Sequence, residues 1–315
     1  MIRARLAPSP TGAQHLGNAR THLVAYWALR KAGGQMVLRI DDLDSPRVKA
    51  WAVDQAIEDL NWLGIDWDVG PFRQTDRLGQ YQATLETLIH QDRVYPCTCS
   101  RKDIAEALSA PHESRFRGEG PIYPGTCAGW HVGDAVPEQP FCWRFRVSDQ
   151  PMEFEDDVLG PLVCNPAREL GDFPLTHKDG KPAYQLAIVV DDLQDSITQV
   201  VRGNDLVPST FRQLDLYRQF DREPPRYAHV PLVRGMDGRR LAKRHGDTRL
   251  SHYRAAGTRP EQVVAWAAHS LGLIDDQRPR VAADLIATFD WSKCEHDDSV
   301  IDPERLFDPP AAASS

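Results

Sequence analysis

The first 63 residues alternate between short apolar runs and amphipathic stretches, and this alternation limits the possible folds more than any other feature. Ile2 to Leu6 and Met36 to Ile40 are apolar runs of strand length. Leu16 to Lys31 and Arg47 to Leu63 carry apolar side chains at helical spacing, and a glycine pair follows the first of these helices. Strand, helix, strand, helix is the beginning of a parallel sheet covered by helices, so we expect an α/β fold.

The rest of the chain divides into segments of different character. Prolines and glycines cluster from 95 to 170, and we expect an insertion there, with antiparallel strands around Phe141 to Val147. This insertion would interrupt one α/β domain formed by 1–94 and 171–233. The second half predicts strands at Tyr184 to Val190, Ile197 to Val201 and His229 to Val233, and a helix at Ser209 to Phe220. A loop and a mostly helical region should fill 234–307, helical from Arg259 to Phe307, with a tail over 308–315.

Composition excludes several classes of protein. Apolar residues make up 41% and charged residues 26%, which is typical of a globular chain. No apolar run reaches 18 residues, the start MIRARLAPSP has no signal-peptide core, and six cysteines are too few for a secreted disulfide scaffold. We therefore expect a cytoplasmic protein without a membrane segment.

Charge argues against a protein that coats nucleic acid non-specifically, because the net charge is −8. One local exception is the segment 234–249, which holds six basic residues against two acidic ones: Arg234, Arg239, Arg240, Lys243, Arg244 and Arg249 against Asp237 and Asp247. A solvated face is the simplest interpretation of such a run, and a local contact with RNA is the alternative.

The segment from Arg5 to Asn18 is the first motif that carries chemistry. It reads R-L-A-P-S-P-T-G-A-Q-H-L-G-N, a strand end, a proline-restricted loop and a helix start. Amides at a helix start attract phosphate, and His15 can donate a hydrogen bond to a phosphate oxygen. Gly17 lets a nucleotide approach the backbone. An ordinary strand–turn–helix would explain H-x-G-N alone, but the whole 14-residue string favours a nucleotide site.

The second motif is R-L-A-K-R-H-G-D, from Arg240 to Asp247, just after a predicted strand. A lysine in a glycine-flanked loop can neutralise the charge that develops on a transferred phosphate, and Lys243 is the candidate. The motif is weak evidence alone and becomes strong when paired with the first.

Together these motifs resemble the two signatures of the class I aminoacyl-tRNA synthetases. The first is similar to the HIGH sequence and the second to the KMSKS loop, in the K-L-S-K-R form of glutamyl enzymes. R-x-A-P-S-P-T-G followed by R-I-D-D-L-D, from Arg39 to Asp44, resembles the glutamyl and glutaminyl branch. The resemblance runs from about residue 2 to 250 and implies a Rossmann-like catalytic domain.

Only about 70 residues follow Arg244, where a discriminating glutamyl-tRNA synthetase would continue into anticodon-binding domains. The chain therefore looks most like the glutamyl-queuosine tRNA(Asp) synthetase family. The resemblance implies activation of L-glutamate with ATP and Mg²⁺, then transfer of the glutamyl group to queuosine in the anticodon loop of tRNA(Asp). We expect a monomer. The alternatives are a truncated synthetase charging a tRNA 3′ end, an inactive tRNA-binding paralogue, and a small-molecule adenylyltransferase.

The resemblance also assigns residues to the two small substrates. The glutamate contacts would be Arg5, Ala7, Ser9, Asp41, Tyr184 and Arg202, and the ATP contacts His15, Gly17, Asn18 and Lys243. Of these, His15 and Lys243 would be catalytic. An arginine fork suits a dicarboxylic substrate.

Two positions depart from the family pattern. Asp41 stands where the family usually has glutamate, so the acid that receives the substrate ammonium is one methylene shorter and leaves room for a bridging water. Ala242 lacks the hydroxyl of the usual loop serine, so we assign it no role and place the ATP contact on Lys243.

A cysteine cluster completes the candidate sites. Cys97 and Cys99 form a Cys-x-Cys turn, and Cys127 follows in G-P-I-Y-P-G-T-C. Residue chemistry alone leaves His131 as a fourth ligand, or purely structural cysteines, open. The family resemblance implies zinc, with Tyr123 as the fourth ligand. Four protein ligands leave no open position, so this zinc would be structural.

Overall fold

The computed structural model describes residues 1–43, 47–107, 116, 120–239, 241 and 248–307. The strands are β1 (Arg3–Leu6), β2 (Gln35–Ile40), β3 (Val69–Arg73), β4 (Val94–Cys97), β5 (Cys142–Phe145), β6 (Met152–Asp156), β7 (Gly160–Cys164), β8 (Phe173–Pro174), β9 (Gln199–Gly203), β10 (Arg226–Val230), β11 (Val233–Gly235) and β12 (Ser299–Ile301). The helices are α1 (Leu16–Lys31), α2 (Ala50–Trp62), α3 (Leu78–His90), α4 (Arg101–Ala107), α5 (Pro166–Glu169), α6 (Tyr184–Gln194), α7 (Val207–Gln219), α8 (Leu250–Ala255) and α9 (Pro260–His269).

A seven-stranded sheet in the order β3-β2-β1-β9-β10-β6-β7 forms the centre of the molecule. Its strands pair in parallel from β3 to β6, and β7 adds an antiparallel edge. The predicted parallel α/β fold is confirmed. Strand order reverses between β1 and β9, so the connections after these two strands leave in opposite directions. Such a reversal opens a crevice at the carboxyl ends of the strands.

Helices cover both faces of this sheet, as the alternation of side chains along β2 shows. Met36, Leu38 and Ile40 belong to the apolar core that contains α1 and α9, whereas Val37 packs in the core that contains α7. The predicted helix over Leu16 to Lys31 is confirmed at both ends. No helix in the described part of the chain has the length and apolar character needed to cross a membrane.

The prediction of a strand over Tyr184 to Val190 is wrong, because these residues open helix α6. The helix is buried from Leu186 to Asp192, and its aspartates are taken up by internal ion pairs. A helix buried on nearly every side shows no amphipathic period, so its apolar run looks like a strand.

Two further boundaries differ from the prediction. The strand expected from His229 to Val233 begins at Arg226 and ends before Pro231, a residue that cannot donate to a ladder. Helical structure after Arg259 ends at His269, and the described residues beyond it form short 3₁₀ turns and β12, which pairs with β11. The expectation of a mostly helical C-terminal region is therefore wrong beyond α9.

The predicted insertion contributes to two sheets. β4, β5 and β8 form a separate antiparallel sheet whose end carries Cys97. β6 and β7 also lie between 95 and 170, but they join the main sheet, where Asp156 pairs with Tyr227. Strands from the predicted insertion therefore belong to two different sheets.

Candidate active site

A cavity of about 690 Å³ lies at the carboxyl ends of β1, β2, β9 and β10. Every predicted glutamate or ATP contact that the structure describes lines this one cavity: Arg5, Ala7, Ser9, His15, Gly17, Asn18, Asp41, Tyr184 and Arg202. Lys243 and Ala242 lie outside the described residues. Residues from four distant segments of the sequence thus meet at the crevice that the strand order creates.

The first motif forms the start of α1. His15 is the residue that caps the helix: its Nδ1 accepts a hydrogen bond from the Gly17 amide at 3.1 Å, and the Asn18 side chain accepts from the His15 amide at 3.2 Å. A neutral imidazole that accepts at Nδ1 carries its proton on Nε2 and is a donor there. A side chain at Gly17 would place its Cβ 3.0 Å from the His15 ring, so this glycine also makes room for the imidazole.

The second motif is anchored to the first through its described flanks. The Leu16 amide donates to the Thr248 carbonyl at 3.2 Å, and the Leu250 amide donates to the Gln14 carbonyl at 2.9 Å. On the other side, the Leu241 amide donates to the carbonyl of Val233, a residue that lines the cavity. The described residues on the two sides of Lys243 are therefore held by Val233 at the cavity and by the start of α1.

A buried charge network forms one wall of the cavity. Arg39 is fully buried and donates to Asp41 at 2.8 Å and to Asp192 of α6 at 2.7 Å. The Arg5 guanidinium lies 3.4 Å from the same Asp192 carboxylate. A third arginine, Arg77, pairs at 3.0 Å with Asp191, the residue before Asp192 in α6. These ion pairs fix the strand residues against α6 and hold charged groups at the cavity without bulk water.

Asp41 has an unusual ionisation as a result. Burial raises the pKa of this carboxyl to about 6, and the neighbouring Arg39 guanidinium opposes the rise. The carboxyl is ionised in neutral solution and can then accept a substrate ammonium group.

Arg202 and Tyr184 also line the cavity, and Arg202 is carried by β9, the neighbour of β1. Arg202 is 5% exposed, and its Nη2 donates to Thr210 Oγ1 at 2.6 Å. Its Nη1 lies 3.5 Å from the Tyr184 hydroxyl, a longer contact at the cavity surface. Arg5 and Arg202 thus bring two guanidinium groups to the same cavity, with Asp41 as an acid beside them.

Several cavity residues were missed by sequence reasoning. Arg47, Arg101 and His177 are exposed side chains that line the cavity and carry no predicted role. Arg39 lies behind Asp41 and belongs to the recognised R-I-D-D run, where an arginine two residues before an aspartate at the end of a buried strand is the signal that could have marked it. Arg101 and His177 come from other segments, and nothing in their local sequence indicates a site.

The predicted metal ligands also converge. The sulfurs of Cys97, Cys99 and Cys127 lie within 4.8 Å of one another, with 3.7 Å between Cys99 and Cys127. The Tyr123 hydroxyl lies 3.4 Å from the Cys97 sulfur and 3.9 Å from the Cys99 sulfur. A tetrahedral zinc with bonds of about 2.3 Å to sulfur separates its sulfur ligands by about 3.8 Å, so this donor set fits zinc. His131, the alternative ligand, bonds Asp92 at 2.7 Å instead.

Comparison with known proteins agrees with this fold and site. The sequence model described as tRNA synthetases class I (E and Q), catalytic domain, matches residues 1–299. A crystal structure of a glutamate tRNA ligase from Elizabethkingia meningosepticum superposes with a TM-score of 0.79 at 25% identity, covering 97% of this chain and 68% of that one. Fold and site therefore define a class I synthetase catalytic domain.

Curated relatives narrow the assignment. Glutamyl-Q tRNA(Asp) synthetase of Rhodopirellula baltica is 53% identical over 95% of this chain and 96% of that protein. The protein of the same name from Deinococcus radiodurans is 46% identical over 86% of this chain and 89% of its own length. Glutamate–tRNA ligase 2 of Halorhodospira halophila is 39% identical, but the match covers only 64% of it. The chain belongs to the glutamyl-Q tRNA(Asp) synthetase family.

Proposed function

We propose that this protein activates L-glutamate with ATP and transfers the glutamyl group to queuosine in the anticodon of tRNA(Asp). The observation that carries the proposal is the meeting, in one cavity, of the guanidinium groups of Arg5 and Arg202, the Asp41 carboxyl and the start of α1 with its His15 cap. Guanidinium groups suit the substrate carboxylates, Asp41 suits the ammonium, and His15 Nε2 at the positive end of the α1 dipole suits phosphate. The names and coverage of the relatives agree with this substrate pair.

The first step forms glutamyl adenylate. An oxygen of the glutamate α-carboxylate attacks the α-phosphorus of ATP, the bond from that phosphorus to the bridging oxygen breaks, and pyrophosphate leaves; Mg²⁺ on the phosphates would neutralise part of their charge. The protein contributes orientation and charge neutralisation. His15 Nε2 and the Lys243 ammonium would donate to the phosphates, while Arg5, Arg202 and Asp41 would hold the amino acid.

The second step uses the RNA. A queuosine hydroxyl attacks the carbonyl carbon of the adenylate, the hydroxyl proton passes to a phosphate oxygen, and AMP leaves as the ester forms. Arg47 and Arg101 lie exposed at the cavity and would meet the phosphates of an entering anticodon loop.

Mass spectrometry of anticodon fragments tests the proposal. Incubation of queuosine-containing tRNA(Asp) with protein, glutamate and ATP should add one glutamyl group to the queuosine fragment. Matched tRNA(Asp) lacking queuosine is the control and should stay unmodified. A queuosine fragment without added mass, together with glutamate on the 3′-terminal fragment of both tRNAs, would contradict the proposal and favour a synthetase that charges the 3′ end.

The cysteine cluster is assigned a structural zinc. Cys97, Cys99, Tyr123 and Cys127 would supply all four ligands, which gives the metal a role in folding and none in the reaction. The protein should contain about one zinc per chain. Cys127→Ser should lose it, whereas Cys294→Ser, a buried cysteine outside the cluster, should keep it. Full zinc retention in Cys127→Ser would contradict the assignment.

A further inference from the structure

A buried aspartate–histidine pair lies behind Arg202, on the side away from the cavity. His229 of β10 is fully buried, and its Nδ1 lies 2.6 Å from Asp156 Oδ2 at the end of β6. The Asp156 carboxylate also accepts from the amides of His229, Val158 and Leu159 at 2.9 to 3.1 Å. Asp156 is thus an acceptor with a full set of donors, although it lies in the interior.

These contacts fix the tautomer of the histidine. Burial lowers the pKa of His229 to about 4, so the ring is neutral in neutral solution. Hydrogen bonds from His229 and from backbone amides lower the pKa of Asp156 against the effect of burial, so the carboxyl is ionised. An ionised carboxylate accepts only, so Nδ1 carries the proton and Nε2 presents its lone pair.

That lone pair faces the substrate-side arginine. His229 Nε2 accepts from Arg202 Nε at 3.2 Å and also lies 2.9 Å from Thr210 Oγ1, which itself accepts from Arg202 Nη2 at 2.6 Å. Two edges of the guanidinium are therefore held by the protein, and Nη1 is the group that approaches Tyr184 at the cavity. The aromatic ring of Tyr227 stacks on His229 at 5.9 Å and keeps the imidazole plane in place.

We infer that Asp156 and His229 are positioning residues that orient the Arg202 guanidinium for the side-chain carboxylate of the amino-acid substrate. This inference rests on the proposed function, because it supposes that Arg202 binds glutamate. It predicts a selectivity role: a guanidinium that can turn would favour glutamate less strongly over its uncharged amide, glutamine.

A purely structural pair would behave differently. Within the residues that the structure describes, Asp156 and Tyr227 form the register pair between β6 and β10, so the bond from Asp156 to His229 also helps to join these strands. Loss of a structural contact would lower thermal stability and total activity alike. Loss of an orienting contact would raise the KM for glutamate and leave the KM for ATP unchanged.

Two variants separate these roles. In His229→Gln the amide oxygen can reach the place of Nε2 and accept from Arg202. In His229→Asn the shorter amide can serve Asp156 but cannot reach Arg202. The measurement is glutamate-dependent ATP–pyrophosphate exchange, with KM determined separately for glutamate and ATP, the same assay run with glutamine, and a melting curve for each protein.

We expect His229→Asn to raise the KM for glutamate about tenfold or more, and to lower the preference for glutamate over glutamine by a similar factor. The KM for ATP should stay within about twofold, and His229→Gln should return the glutamate KM to within about threefold of the wild-type value. If His229→Asn does not fold, Asp156→Asn, which keeps the side-chain shape, should raise the glutamate KM alone.

An unchanged glutamate KM in a folded His229→Asn or Asp156→Asn protein would overturn the inference. So would a fall in kcat with both KM values unchanged. The wild-type protein separates a failure of the proposed function from a failure of the positioning role. Absence of glutamate-dependent exchange in the wild-type protein would contradict the proposed function. Normal exchange in the wild-type protein with unaffected variants would contradict only the positioning role.

Discussion

The two halves of the cavity are built by different physical means. The half that we propose for glutamate consists of charged side chains on or just after strands, held by ion pairs among Arg5, Arg39, Asp41 and Asp192 of α6. The half that we propose for the nucleotide consists of the start of α1 with its His15 cap, beside the described flanks of the second motif. A small zwitterion such as glutamate is recognised by a few charged side chains in fixed positions. In this cavity, buried ion pairs hold those side chains in position. A triphosphate brings its own charge and would be met by the His15 imidazole, the dipole of α1 and a cation.

If this contrast is right, the largest effect on stability should come from the glutamate half. Arg39→Met would leave Asp41 and Asp192 buried without their main partner, and we expect the free energy of unfolding to fall by about 3–5 kcal/mol. Arg278, an exposed arginine paired with Asp276 at 2.7 Å, is the matched control, and Arg278→Met should leave the urea midpoint unchanged. Similar midpoints for the two variants would contradict the buried network.

In the nucleotide half, the main effect should be on rate. Lys243→Ala should lower kcat for ATP–pyrophosphate exchange by about 10²–10³-fold, because a donor to the transferred phosphate is lost. The melting temperature should not move, because this side chain acts on the ligand. Lys102→Ala, at a residue 82% exposed, is the control. An unchanged exchange rate would remove Lys243 from the mechanism.

Protonation of the Asp41 carboxyl should change the kinetics for glutamate and not those for ATP, so the pH dependence of activity should distinguish the two halves of the cavity. Since the pKa of Asp41 is raised to about 6, kcat/KM for glutamate should fall by about tenfold per unit below that pH, as protonation removes the charge that receives the ammonium. The KM for ATP should stay flat over this range. Asp41→Asn should show low kcat/KM without the step, and a wild-type profile flat to pH 5 would contradict this role.

The raised pKa of Asp41 affects folding stability in the opposite direction from glutamate binding. Because the pKa of Asp41 is higher in the folded protein than in the unfolded chain, ionised Asp41 lowers stability above about pH 6. This loss of stability disappears as the pH falls towards the pKa that Asp41 has in the unfolded chain. Acid should therefore weaken glutamate binding through Asp41 without unfolding the protein through it.

The smallest expected effect concerns the helix cap. Asn18→Ala removes the acceptor for the His15 amide, and we expect a loss of about 1 kcal/mol in the free energy of unfolding. The KM for ATP should rise modestly while the KM for glutamate holds. A rise in the KM for glutamate with an unchanged KM for ATP would contradict the division of the cavity into two halves.

Sequence and structure agree best where a motif is local. The first motif occupies consecutive residues, and its predicted helix start and cavity position follow from that. Helix α6 was missed because its buried aspartates hide the helical period, and their partners, Arg39 and Arg77, lie more than 100 residues away. His229 was treated only as a strand residue, since its partner Asp156 comes from the segment expected to be an insertion.

A crystal structure with glutamate and a non-hydrolysable ATP analogue would show whether the two substrates meet in this cavity. We expect the glutamate carboxylates on Arg5 and Arg202, its ammonium beside Asp41, and the phosphates between the start of α1 and Lys243. Glutamate bound elsewhere, or a triphosphate that touches neither His15 nor Lys243, would contradict this arrangement.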